Sequence, residues 1–142
     1  MVVIMAVAGG MAAAQPSYPI FTVSHLSGTM EALGPNFRAT SEALGSEDYQ
    51  IAKERITRSR EQLARTITFW RQNNRDDAVK ILRQTVEKMD ALDELLSMEI
   101  VDYGAGTALL GEIGIGCGAC HDIHREQDPD TNEYRLRPGS VE

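Results

Sequence analysis

The residues best equipped for chemistry are the chain's two cysteines, Cys117 and Cys120, and the histidine that follows the second, His121. They form the pattern C-x-x-C-H, the attachment signature of haem c. On a helix, positions i, i+3 and i+4 share a face. Both thiols can then form thioethers with the two porphyrin vinyl groups, and the His121 imidazole can reach the iron as proximal ligand. The competing readings fit less well. A thioredoxin-type C-x-x-C sits in a βαβ context, and no strand alternation surrounds this one. A structural zinc site takes four ligands, whereas the chain has only three histidines (His25, His121, His124) and no second cysteine pair. A simple disulfide leaves His121 without a role. The motif predicts one covalent haem c.

The elements that must position this motif are helical. The first predicted helix covers about Thr22 to Leu44, with Leu26, Met30, Leu33, Phe37, Thr40 and Leu44 in one stripe at helical spacing. Gly45 is the expected stop, and Ser46 the cap of the next helix. That second helix runs about Glu47 to Gln72, with Ala52, Ile56, Ser59, Leu63, Thr66 and Trp70 inward and Glu54–Arg58 and Glu61–Arg65 as solvent-side pairs. Asn73 and Asn74 break the chain, and Asn74 is placed to cap a third helix from about Arg75 to Tyr103. Its stripe is Ala78, Leu82, Thr85, Met89, Leu92, Leu96 and Ile100. Gly104 and Gly106 mark a turn, and the fourth helix, about Thr107 to Arg125, carries the haem motif near its C-terminal end. Short connections make neighbouring helices antiparallel. The expected fold is therefore all-α, an antiparallel up-down four-helix bundle with the haem near the C-terminal end of the fourth helix.

That last helix also contains Gly111, Gly114, Gly116 and Gly118, each costing a helix about 1 kcal/mol relative to alanine. Either small residues let the porphyrin lie close to the backbone, or the helix frays or starts later than Thr107.

Residues 1–14 read as a signal peptide: Val2 to Ala8 is apolar, and Ala12-Ala13-Ala14 resembles a cleavage site. No Lys or Arg precedes Arg38, so a basic n-region is missing from this stretch. Residues 15–125 form the expected helical domain, and 126–142 a polar tail, wrapped on the bundle or disordered, with a short extended segment at about Glu133 to Arg137. The net charge of −7 argues against a nucleic-acid partner and disfavours an anionic membrane surface. It leaves room for a basic protein partner.

The run Cys117 to Arg125, with C-x-x-C-H near the end of a last helix, resembles the class II c-type cytochromes, the cytochrome c-prime family and its low-spin relatives. The resemblance covers roughly Val23 to Arg125. Met30-Glu31-Ala32-Leu33-Gly34-Pro35-Asn36-Phe37 and the ending around Tyr134 to Pro138 resemble a periplasmic branch of that group. The resemblance implies a four-helix bundle, a basic residue near the proximal histidine at Arg125, and periplasmic export. Family members are often dimers built from their first two helices, but this chain carries no specific signal for a homodimer.

The sixth iron ligand separates two functions. Two axial ligands suit electron transfer, while an open distal side binds small gases. Low-spin relatives resemble this chain in placing a methionine on the first helix, and Met30 is the match. The competing view is that Met30 is a core filler on an apolar stripe. Pro35 cannot donate to the Glu31 carbonyl, and the disturbed turn is expected to shape the distal pocket beside Met30. His25 is a weaker candidate ligand. His124 lies on a neighbouring face of the last helix and does not reach the distal side. Trp70 and Phe37 are expected in the core or at the haem edge, and Arg38 and Arg71 are candidate partners for the propionates. The favoured expectation is a periplasmic one-electron carrier with a redox partner protein, not an enzyme. The alternative is a five-coordinate haem that binds nitric oxide or carbon monoxide, and a structural haem subunit of a complex comes third.

Overall fold

The computed structural model describes residue 20 and residues 22–141, so the expected signal segment at 1–14 lies outside the described residues. Four helices follow in order: α1 (Val23–Gly45), α2 (Tyr49–Gln72), α3 (Asp76–Leu95) and α4 (Tyr103–His124). Two short strands come last, β1 (Arg125–Gln127) and β2 (Tyr134–Leu136).

The stripes turn inward as their spacing demands. Leu26, Leu33, Leu44, Ile56, Leu63, Leu82, Met89 and Leu92 are all buried. Hydroxyl residues share these stripes because each satisfies its hydroxyl by bonding back to a carbonyl of its own helix. Thr40 Oγ1 donates to Asn36 O at 3.0 Å, Ser59 Oγ to Arg55 O at 3.0 Å, and Thr85 Oγ1 to Ile81 O at 2.9 Å.

Each helix packs on its sequence neighbour. Side-chain contacts show the directions. Lys53 meets Asp93 at 3.7 Å while Arg60 meets Asp90 at 2.7 Å, so α2 and α3 run in opposite senses. Leu95 packs beside Gly106 and Thr85 beside Gly116, which sets α4 against α3 in the same way. The first and last helices touch more sparingly. Leu44 packs on Gly106 at one end. At the other, Met30 and Cys120 face common space, leaving a seam between α1 and α4.

Several element ends differ from expectation. Gly45 lies in the last turn of α1, and Glu47, with φ of 58°, takes the left-handed position that closes it. Asp48 N–H then bonds Ala43 O at 2.9 Å and Glu47 N–H bonds Leu44 O at 3.0 Å, the paired bonds of a Schellman motif. Asp48, not Ser46, caps α2. Asn74, with φ of 55°, closes α2 in the same manner rather than capping α3. Helix α3 ends at Leu95, well short of Tyr103, and Ile100 is 84% exposed. Asp102 opens the next helix: its carboxylate accepts the Ala105 N–H at 2.9 Å and starts α4 ahead of Gly104 and Gly106. The glycine-rich helix is therefore neither late nor frayed.

The tail is wrapped on the bundle. Strands β1 and β2 pair antiparallel, with Arg125 opposite Leu136 and Gln127 opposite Tyr134. Arg75, in the α2–α3 turn, donates to the carbonyls of Gly139 at 3.0 Å and Ser140 at 3.3 Å. Among the described residues no helix is long and apolar enough to cross a membrane.

The glycines of α4 are not equivalent. A β-carbon on Gly111 would meet nothing within 4 Å, whereas one on Gly116 would collide with the Thr85 hydroxyl. Urea unfolding should therefore show Gly111→Ala stabilised by up to about 1 kcal/mol and Gly116→Ala destabilised by about 1–3 kcal/mol. Equal shifts of the same sign would contradict this placement of α4.

Candidate cofactor site

The C-terminal half of α4 presents Cys117, half-buried, Cys120, buried, and His121, half-buried. Gly116 brings this stretch against α3, so the cysteine face turns into the seam opposite α1. There α1, unbroken through Pro35, offers Met30, which is half-buried.

Two cavities occupy the seam. The larger, of about 580 Å³, lies between α1, the end of α4, Trp70 and the β1–β2 hairpin. The smaller, of about 230 Å³, reaches toward Leu63, Leu82 and Thr85. Met30, Cys120, His121 and Arg125 border both, and Cys117 borders the smaller. The residues that the sequence singled out for a covalent haem thus border two neighbouring cavities with shared walls, and the larger cavity alone is of the size that holds cofactors, about 300–1,000 Å³. Among the described residues, no group of three or more His, Cys, Asp or Glu side chains is placed to hold a metal ion by itself. A porphyrin iron does not need one, since the macrocycle supplies the equatorial nitrogens.

Both cysteines are free thiols. Burial pushes the Cys117 thiol up, and burial with the nearby Asp77 carboxylate pushes Cys120 to about 11. At neutral pH both are protonated, which slows oxidative pairing. Burial, then the Arg125 guanidinium, lowers the pKa of His121, opposed by Asp122. Neutral imidazole, the metal-ligating form, is thereby favoured.

The other candidates fall out differently. His25, in the exposed first turn of α1, borders neither cavity, and neither do the exposed Arg38 and Arg71. Phe37 lines the smaller cavity and Trp70 the larger. His124 is 1% exposed and stacks on Trp70 with ring centroids 4.6 Å apart. Its Nε2 lies 3.3 Å from Asp77 Oδ2, close but not aligned for a hydrogen bond, so both ring nitrogens and Trp70 Nε1 lack hydrogen-bond partners. Asp77 is itself fixed by Arg75 at 2.9 Å, which holds its carboxyl well below the usual range. Spacing hinted at the burial of His124, which lies one turn after the buried Cys120. Nothing in the sequence hinted that the hairpin would supply Asn132, Tyr134 and Arg135 as a cavity wall.

Comparison with protein-family models, with curated proteins and with solved structures gives no match.

Burial depresses the pKa of His124 as well, with Asp77 raising it and Arg75 lowering it. The unfolded chain therefore binds protons that the folded, haem-free chain refuses as pH falls through about 6.5, and stability falls with it. Chemical denaturation of the haem-free chain should give a lower midpoint at about pH 5.5 than at about pH 7.5. His124→Phe, which keeps the aromatic stack on Trp70, should lessen the difference. A midpoint independent of pH would mean that neither histidine is held neutral.

Proposed function

We propose that the chain is a monohaem c-type cytochrome of class II that carries single electrons in the periplasm. The observation that carries this is the convergence of Met30 from α1 and Cys120 and His121 from α4 on the same two cavities, with Cys117 beside them. Cys117 and Cys120 would each add S–H across a vinyl double bond, sulfur to one carbon and hydrogen to the other, with no oxidant consumed. His121 would be the proximal ligand and Met30 the sixth.

The haem supplies an iron that cycles between ferric and ferrous. The chain's part is to hold and tune it. A thioether at Met30 favours the ferrous state. The Arg125 guanidinium, close enough to lower the pKa of His121, adds positive charge that also favours reduction. The apolar walls from Leu33, Leu63 and Leu82 exclude water. The acidic surface suits a basic redox partner. Export rests on the apolar segment at 1–14.

A second reading has support in the smaller cavity, which borders Met30 and is lined mainly by apolar groups. If Met30 stayed off the iron, the position it leaves, beside these apolar groups, would admit a diatomic gas. Optical spectra of the purified protein, oxidised and reduced, with and without carbon monoxide, separate the two. For the electron carrier the wild type is low-spin and ignores carbon monoxide, and Met30→Ala turns high-spin and binds it. A wild type that is high-spin and binds carbon monoxide at once makes the gas-binding reading correct, and a purified chain without covalent haem refutes both.

A further inference from the structure

We infer that the carboxylate edge of the bound porphyrin lies beneath the β1–β2 hairpin, with Arg125 as its counter-cation. The inference rests on the haem reading above. It comes from the unequal walls of the two cavities. The smaller is walled by Leu33, Phe37, Leu63 and Leu82, and its one charged neighbour is Arg125. The larger meets four charged side chains, Glu31, Arg125, Glu133 and Arg135, together with Asn132 and Tyr134 of the hairpin.

Attachment geometry agrees with this polarity. A haem bears its vinyl groups on one half of the ring and its propionates on the other. Cys117 borders only the smaller cavity, and Cys120 borders both. Thioethers to these sulfurs hold the vinyl half on the apolar side, and the propionates then point into the larger, polar cavity.

Two arginines stand there, and they are not equivalent. Arg135 is engaged by Glu126 at 2.8 Å and by Asp128. Arg125 is half-buried, and among the described residues no carboxylate lies within ion-pair distance of it. It rests 4.0 Å over the ring of Tyr134, its position fixed by strand pairing with Leu136. A partly buried cation without a counter-ion is unfavourable, and a propionate in the larger cavity supplies one through charge-assisted hydrogen bonds to the guanidinium. Arg38 and Arg71 line neither cavity.

The test is the propionate bending band in the resonance Raman spectrum of the haem-bearing protein. Arg125→Gln should shift the band, Arg125→Lys should restore most of its position, and Arg71→Gln should leave it unmoved. The inference is overturned if the band is unchanged in both Arg125 variants, or if it moves with Arg71→Gln instead. Haem-bearing protein with an unmoved band sinks this inference alone, whereas protein without covalent haem sinks the functional proposal with it. If Arg125→Gln does not accumulate, the charge-keeping Arg125→Lys still decides. Loss of the guanidinium fork must then leave a smaller shift, and no shift at all overturns the pairing.

Discussion

At Gly116 the backbone of α4 comes so near Thr85 of α3 that no side chain fits between them. Thr85 does not yield, because its hydroxyl is tied to Ile81 O at 2.9 Å and the residue is buried. The cysteines of α4 follow immediately. Their rotation about the helix axis is set by this contact, and both border the space that Leu82 and Thr85 of α3 share with Met30 of α1. Gly106 performs the matching task ten residues earlier, where Leu44 and Leu95 both pack against it. One close approach sets the direction of the site, and the other keeps the far end of the seam shut.

Beneath the site, α2, α3, α4 and the tail are joined through a small polar group set in an apolar setting. Trp70 carries the His124 ring, Asp77 stands at its edge, and Arg75 fixes Asp77 while holding the carbonyls of Gly139 and Ser140. The backbone of His124 contributes as well, since its carbonyl accepts the Arg137 N–H at 2.9 Å. A buried imidazole with no hydrogen bond to its nitrogens loses solvation without full compensation. It is tolerated because stacking and burial of the ring offset part of that loss. The same residue that weakens the haem-free chain in acid thus also anchors the hairpin that walls the larger cavity.

The motif and the helical stripes were legible because each depends on local spacing. Leu26 to Leu44 and Ala52 to Trp70 are inward for reasons contained in their own segments. The end of α3 was not legible, because Ile100 continues the apolar period yet is exposed in the connection between Leu95 and the Asp102 cap. Capping competes with periodicity there, and a carboxylate two residues before a glycine gives little warning of which wins. Glu47 was similarly hidden. Gly45 is the residue that tolerates a left-handed conformation most easily, but the loop geometry places that conformation two positions later. Among the site residues, the cysteines and His121 came from a motif, while Tyr134 and Arg135 came from strand pairing, which depends on residues on both sides of a turn and leaves no mark in either alone.

The two sides of the seam are held by different partners. Helix α4 is seated on α3 by Gly116 and extended by a hairpin that is tied back to the α2–α3 turn. Helix α1 is held mainly through α2, by contacts such as Asn36 with Gln62 at 3.1 Å and with Arg55 at 3.3 Å. In the proposed cytochrome, attachment and proximal ligation would belong to the helix seated on α3 and the sixth ligand to the helix seated on α2. Covalent bonds to Cys117 and Cys120 would keep the proposed cofactor in place independently of α1. A single coordination bond from Met30 is then free to decide reactivity without also having to retain the haem. On that proposal, keeping those tasks on different helices would let one bundle suit an electron carrier with Met30 on the iron or a gas binder with Met30 off it.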